Sequence, residues 1–234
     1  MSQLIPQTTS PSPGSKGVFL IDKPSGITSH DVVDQVRSLT GVSRVGHTGT
    51  LDPLATGLLI VLVGREYTKQ QVQFLKLDKE YRCTAKLGVT TDSYDLDGEV
   101  LKRADWQTIE KLNEPTVIKA LKKFEGEITQ TVPAFSAIKQ AGKKLYELAR
   151  KNELRQQDLP TRKVTVHQAQ LLEFNKNSQT ETAEIVLGLT VSSGTYVRSL
   201  VHDLGQELKT GAAVAQLRRT AIGKHKVQNA VTLD

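Results

Sequence analysis

The 234-residue chain carries 31 Lys and Arg against 25 Asp and Glu, a net charge of +6, and is 38% hydrophobic but only 5% aromatic. At roughly 100–200 residues per domain this is one large domain or two small ones, with a core built mainly from aliphatic side chains. Collagen, coiled coil and wholly disordered chains are excluded. The lone cysteine, Cys83, rules out an internal disulfide and a thiolate cluster, and the five histidines show no ligand spacing, so no metal is expected. The first basic residue is Lys16 and no apolar segment precedes it, so no secretory leader is expected. The longest apolar run, Leu58–Val63, is far short of the roughly 20 residues a membrane helix needs, which makes the cytoplasm the expected compartment. A positive balance favours an acidic partner, RNA or DNA first, although many metabolic enzymes are equally basic.

In chain order, residues 1–15 hold Pro6, Pro11 and Pro13 among Ser and Thr without apolar periodicity, which predicts a flexible tail with order beginning at Gly17. Val18–Ile21 reads as a strand. A helix follows, capped by Thr28 or Ser29, with Asp31 in its first turn, Val32, Val33, Val36 and Leu39 on one face, and Gly41 as its stop. Residues 46–53 are irregular, and Leu58–Val63 is a buried strand. Tyr81–Val89 alternates, with Tyr81, Cys83, Ala85, Leu87 and Val89 on one side. An acidic turn-rich loop leads to a return strand from Glu99. Pro115 opens a helix through Phe124 with the stripe Val117, Ile118, Leu121 and Phe124.

Residues 127–162 are the least regular and carry a basic segment, Lys139, Lys143, Lys144, Arg150, Lys151 and Arg155, with a short helix over Lys143–Lys151. Strands are expected at Val164–Phe174 and Ala183–Val191, and a last helix at Tyr196–Leu208. Strands come in pairs with single helices between them, and no G-x-G-x-x-G or P-loop is present. The fold class expected is therefore α+β on a largely antiparallel mixed sheet.

Three residues stand out as chemistry. Asp52 precedes Pro53, which biases its backbone toward extended geometry, and lies among Gly46, Gly49 and Gly57. A rigid loop presenting a carboxylate and an ordinary turn both fit that pattern. His47 could be a base, a stacking platform or a helix-end cap. Arg198 opens the last helix beside Tyr196, at its mouth rather than in its apolar stripe, and could pair with a carboxylate or simply face solvent.

Taken together these residues do more. Gly46-His-Thr-Gly-Thr-Leu-Asp52-Pro-Leu-Ala-Thr-Gly57 closely resembles the catalytic loop of the tRNA pseudouridine synthases of the TruB type. The resemblance continues in family order through Gly17-Val-Phe-Leu-Ile-Asp-Lys23-Pro-Ser-Gly26, Lys79-Glu-Tyr81-Arg-Cys, Thr91-Asp-Ser-Tyr-Asp95, Gly142-Lys-Lys-Leu-Tyr146-Glu, Ser193-Gly-Thr-Tyr196-Val-Arg198 and Leu217-Arg-Arg219.

The resemblance implies a pseudouridine synthase fold around a central RNA-binding cleft, and isomerisation of the T-loop uridine at tRNA position 55 without cofactor. Asp52 matches the nucleophile and Tyr81 the tyrosine that stacks on the flipped uracil near its C5 proton. Arg198 matches the partner of the aspartate. Tyr196 and Leu217 match residues lining the uridine pocket, His47 the stacking histidine, and Lys23 a lysine near the pocket. Asp95 matches an acidic position to which no role is given beyond local structure. Residues 17–234 would form the catalytic domain after a tail of residues 1–16, with an insertion around 127–162 whose Lys143, Lys144 and Arg150 clamp the T arm. A monomer is expected. Many relatives continue into a C-terminal RNA-binding domain of the PUA kind, whereas this sequence stops at Asp234, which leaves contacts to the acceptor stem open. The rival reading is a non-catalytic tRNA-binding chaperone, which would need the basic surface and Tyr81 but not Asp52 with Arg198.

Overall fold

A computed structural model of the chain describes residues 6–140, 142–151, 153–154 and 156–233. Residues 1–5 of the expected tail, Arg155 of the expected clamp and Asp234 lie outside the described residues. The chain divides into two units, Met1–Arg82 with Gln216–Asp234, and Cys83–Ala215.

The first unit opens with β1 (Gly17–Lys23), followed by α1 (Ser29–Thr40), β2 (Val45–His47) and β3 (Thr56–Val63). Two short helices, α2 (Arg65–Thr68) and α3 (Gln71–Leu75), lead into β4 (Lys79–Leu87). The expected cap of α1 is a full capping box: the Thr28 side chain accepts from the Asp31 N–H, and the Asp31 carboxylate accepts from the Thr28 N–H. Gly41 ends the helix at φ 68°, in the left-handed region. Val32, Val33 and Val36 are buried as expected, but Leu39 is exposed and Thr40 is buried in its place, its hydroxyl bonded back to Val36 O.

β1 and β3 pair antiparallel along their whole length. Since β1 occupies one edge of β3, the other edge is shared: β2 pairs antiparallel with Val61–Val63, and a late strand pairs parallel with Thr56 and Gly57. The continuous apolar run is buried because both faces of this sheet are covered. Val18, Leu20, Leu58, Ile60 and Leu62 form one core with Phe74, while Phe19, Ile21, Leu59, Val61 and Val63 form another with Val32 and Val36 of α1. Order reaches upstream of Gly17, since Gln7 bridges Phe19 and its N–H donates to Val18 O.

The second unit begins within β4, where Cys83, Ala85 and Leu87 alternate inward as expected. Gly88, at φ 84°, ends that strand two residues earlier than predicted, and β5 (Val89–Thr91) pairs with β6 (Val100–Arg103). Helices α4 (Trp106–Glu110) and α5 (Glu114–Lys122) follow. α5 buries Val117, Ala120 and Leu121, whereas Ile118, expected on that stripe, is exposed, and Phe124 lies beyond the helix, half-buried. β7 (Gly126–Thr131) occupies residues expected to be irregular, paired with β10 (Thr161–Asn177). Between them lie β8 (Lys139–Gln140), β9 (Lys143–Lys144) and α6 (Leu145–Arg150), so the predicted helix starts two residues late. β11 (Thr182–Val191) pairs antiparallel with β10, and α7 (Val197–Glu207) packs on β7 and α5.

β12 (Ala212–Ile222), which no sequence pattern suggested, crosses from the second unit into the first after Ala215, and β13 (His225–Lys226) pairs with its end. The long pairs β1–β3, β10–β11 and β7–β10 are antiparallel and β12 meets β3 in parallel, which makes the fold α+β on a largely antiparallel mixed sheet. No helix among the described residues is long and apolar enough to cross a membrane.

Candidate active site

Asp52 sits on the connection from β2 to β3, and almost every backbone group around it is held. Thr48 N–H donates to Ile60 O at 3.0 Å, and Arg219 Nη2 donates to Gly49 O at 3.1 Å. The buried Ser29 hydroxyl accepts from Leu51 N–H at 2.8 Å and donates to Leu51 O at 3.0 Å, acting like a strand partner for one residue. Pro53 O accepts from Gly26 N–H at 2.9 Å and from Lys23 Nζ at 3.3 Å. Ser25 Oγ donates to Leu54 O at 3.1 Å, and Ala55 N–H closes a turn onto Asp52 O at 3.0 Å. The half-buried Asp52 carboxylate is thus presented by a backbone fixed on both sides.

Two buried cations anchor this loop. Lys23 is fully buried, and its ammonium donates to Pro24 O and Ile27 O, both at 2.7 Å, besides Pro53 O. Burial pulls its pKa down to about 8; the Asp52 charge opposes that shift and the Arg219 charge adds to it. The ammonium is therefore charged at neutral pH, beside Asp52. Arg219 is 1% exposed, and its Nε donates to Leu58 O at 2.7 Å. Its backbone lies so close to Gly57 (φ 101°) that a Cβ there would meet Arg219 O at 2.3 Å. The glycine lets β3 and β12 meet at the foot of the loop.

His47 ends β2, with its carbonyl accepting from Gln71 Nε2 at 2.6 Å. Burial first, then the Arg219 and His30 charges, lowers its pKa. Its buried Nδ1 has no hydrogen-bond partner among the described residues. A ring held neutral suits stacking better than proton transfer at pH 7. Tyr81 is half-buried in β4, in phase with buried Cys83, and Leu217 is buried in β12. Burial raises the Cys83 thiol to about 12, which removes it as a nucleophile.

The remaining candidates belong to the second unit. Arg198, expected at the mouth of its helix, is 3% exposed and points inward. Its guanidinium donates to Ser93 O at 2.7 Å and Phe135 O at 2.9 Å, and it pairs with Asp95 Oδ2 at 3.4 Å. Asp95 is fixed in turn: Ser93 Oγ and Asp97 N–H donate to its Oδ1 at 2.5 and 3.2 Å, and Thr91 Oγ1 donates to its carbonyl at 2.7 Å. This buried ion pair supplies the role that sequence reading left open for Asp95. Tyr196, the N-cap residue of α7, packs half-buried against the cluster of Val132, Leu145 and Leu159, with the Arg162 guanidinium 5.3 Å from its ring centre.

The basic candidates gather on β9 and α6. Lys144 Nζ lies 5.3 Å from the Tyr146 ring centre and donates to its hydroxyl at 3.2 Å, while the Arg150 guanidinium lies 5.6 Å from the same ring. Exposed Lys143 approaches Glu153 at 4.0 Å. Thus the first unit holds Lys23, His47, Asp52, Tyr81 and Leu217, and the second holds Arg198, Tyr196, Lys143, Lys144 and Arg150. Sequence reasoning quoted Arg219 without a role and missed Ser29 and Gln130. Arg219 had a readable signal, a charge in the inward phase of Leu217 and Ala221; the other two had none. No group of three or more His, Cys, Asp or Glu among the described residues could hold a metal ion.

Comparison with known proteins places this arrangement. The model for the TruB family pseudouridylate synthase N-terminal domain matches residues 37–197, and that for the tRNA pseudouridylate synthase B C-terminal domain matches residues 198–234. The tRNA pseudouridine synthase B of Protochlamydia amoebophila (strain UWE25) is 43% identical over 215 residues, covering 92% of this chain and 77% of the relative. That of Aquifex aeolicus (strain VF5) is 42% identical over 218 residues, covering 93% and 72%. Among solved structures, a chain of a Cbf5-Nop10-Gar1 complex superposes with a TM-score of 0.66 at 28% identity over 92% of this chain. A chain of an H/ACA RNP bound to a substrate RNA containing 2'-deoxyuridine gives 0.64 at 27% identity over 92%. This chain spans 52% and 50% of those two chains, about half their length. With its motifs and fold matched in this way, and family models covering residues 37–234, the chain belongs to the TruB family of pseudouridylate synthases.

Proposed function

We propose that the chain converts the T-loop uridine at position 55 of tRNA to pseudouridine. The observation that carries this reading is the Asp52 loop, a carboxylate on a backbone pinned by Ser29, Lys23 and Arg219. A nucleophile must meet one atom of its substrate in one geometry, and such a support removes the alternatives in advance.

In this reading the target base leaves the T-loop stack, at the few kcal/mol typical of base flipping. Asp52 attacks the nucleoside and the N-glycosidic bond breaks. The uracil turns, C5 bonds to the sugar carbon, the bond to Asp52 breaks so that the carboxylate is regenerated, the C5 proton is lost to solvent and N1 gains one. Bonds made and broken balance within one nucleotide, so no cofactor is consumed. Tyr81 stacks on the flipped uracil and assists loss of the C5 proton, while Arg198 serves as the partner of the aspartate. Tyr196 and Leu217 line the uridine pocket, neutral His47 stacks where the base departs, and Lys23 supports the loop. Lys143, Lys144 and Arg150 bind T-arm phosphates, since folded RNA is read largely through its shape and backbone. The enzyme acts as a monomer in the cytoplasm.

The test uses an unmodified tRNA transcript carrying tritium at uridine C5. Wild-type protein is expected to release tritium at one site per molecule. Asp52→Asn is expected to lose turnover by about 10³-fold or more while retaining tRNA binding. Absence of release from wild type under conditions where the RNA binds overturns the assignment, and an active Asn variant removes Asp52 as nucleophile.

A further inference from the structure

Gln130 is the fully buried polar side chain of β7 that the reaction scheme does not use. Its amide meets the backbone of Tyr196 twice: Nε2 donates to Tyr196 O at 3.0 Å, and Oε1 accepts from Tyr196 N–H at 2.8 Å. The two contacts fix which way the amide points, because a backbone N–H can only donate and a carbonyl only accept. The glutamine thereby acts as a peptide group of a neighbouring strand, offered to one residue 66 positions away.

That residue occupies a particular place. Tyr196 is the N-cap of α7, and no side chain caps the helix there. Two residues on is Arg198, buried and paired with Asp95. The adjoining residues of the same segment extend the connection. Ser199 Oγ donates to Thr131 O at 2.8 Å, and Arg198 Nη2 donates to Phe135 O at 2.9 Å. Arg162 closes the other side, donating to Gly194 O at 2.9 Å with its guanidinium near the Tyr196 ring.

We infer that Gln130 is a positioning residue for the isomerisation, setting the register of Tyr196 and, through the first turn of α7, the aim of the Arg198 guanidinium. The inference rests on the proposal that Tyr196 and Arg198 serve that reaction. Only a primary amide does this in one buried group. A glutamate in its place keeps an acceptor for the Tyr196 N–H but turns its second oxygen onto the Tyr196 carbonyl, and a methionine offers neither bond.

The test measures single-turnover tritium release at saturating tRNA, tRNA affinity and thermal midpoint for Gln130→Glu, Gln130→Met and Arg162→Met. Misplacement by an ångström lowers a rate by about 100-fold, so the Gln130 variants are expected to lose about 10- to 100-fold in single-turnover rate. Their tRNA affinity stays within about threefold of wild type, since the phosphate contacts are elsewhere. Arg162→Met, altered at a half-exposed side chain and therefore able to fold, shows a smaller loss of the same kind. A rate within threefold of wild type in Gln130→Glu overturns the inference. So does a rate loss matched by an equal loss of affinity and recovered by lowering the temperature, which would mark a merely structural role. If Gln130→Met does not fold, Gln130→Glu and Arg162→Met decide the question. A wild type that releases no tritium fails the functional proposal instead.

Discussion

The loop at residues 48–55 and the segment at 132–160 are both mostly irregular, and both carry residues assigned to RNA. They are built in opposite ways. The loop is held by buried donors: Ser29 is 2% exposed, Arg219 1% and Lys23 0%. The segment is held by a small apolar cluster of Val132, Leu145 and Leu159, and its charges stay in water, with the Lys143 and Glu153 side chains 65% and 49% exposed. Buried hydrogen bonds fix geometry because leaving one unmade is expensive, whereas exposed ion pairs contribute little and rearrange readily. On the proposed function, rigidity then lies where a bond is to be broken and adaptable charge where a phosphate backbone is to be met.

The strongest way to break this contrast is to remove the anchor. Lys23→Met leaves the carbonyls of Pro24 and Ile27 without this donor and Pro53 O with the Gly26 N–H alone. Each buried unsatisfied group costs about 1–3 kcal/mol, so the thermal midpoint falls and turnover drops by about 100-fold with tRNA binding largely kept. Proton titration gives a gentler version. Burial lowers the Lys23 pKa from 10.5 to about 8 in the folded chain, so the folded state releases its proton first as pH rises. Between pH 8 and 10.5 the unfolded chain binds more protons, and the contribution of Lys23 to stability rises with pH, by about 3 kcal/mol at most. Activity moves the other way, because the neutral amine has one donor fewer for its three carbonyls. The turnover profile is expected to fall above pH 8. Lys79, also lowered to about 8 by burial but bonded to Leu75 O and Leu77 O, is the control: Lys79→Met should keep that falling limb.

Ser29→Ala tests the same loop more mildly. It removes both bonds to Leu51 without adding bulk. One or two lost bonds correspond to about 1–2 kcal/mol and about a tenfold loss of turnover. Equal losses of turnover in Ser29→Ala and in a charge-removal variant of the 132–160 segment would erase the distinction between the two regions.

How far the sequence could carry this contrast is clearest residue by residue. Thr28, Asp31 and Gly41 announced α1 because caps are local chemistry, and the alternation at Cys83, Ala85 and Leu87 announced β4. Asp52 was legible through its motif. Its supports were less so: Ser29 reads as a cap residue, and Arg219, although in the inward phase of Leu217 and Ala221, has no visible partner until the fold brings Gly49 and Leu58 to it. β12 hid because Ala212, Ala213 and Ala215 dilute the apolar pattern of a strand, and β7 hid because Thr129, Gln130 and Thr131 pair with a strand that follows thirty residues later. Arg198 looked like an exposed helix-end cation because its partner, Asp95, lies over a hundred positions away in the sequence.

The smallest expected effect on turnover comes from the 132–160 segment, and there the comparison is sharpened instead of broken. Lys143→Gln with Lys144→Gln removes two charges, one exposed and one resting on Tyr146, and disturbs no buried bond. The Tyr146 hydroxyl, by accepting from Lys144, pushes the pKa of that ammonium up, so Lys144 is charged at working pH in the wild type. Each phosphate neutralised contributes about 0.7–0.9 to the slope of log affinity against log salt, so the double variant should flatten that slope by about 1.4 to 1.8. Affinity at low salt weakens, while turnover at saturating tRNA and the thermal midpoint stay near wild type. An unchanged slope would take Lys143 and Lys144 out of the RNA interface. A lower turnover at saturation would show that the segment also takes part in geometry, which exposed charges on so small an apolar cluster are poorly built to do.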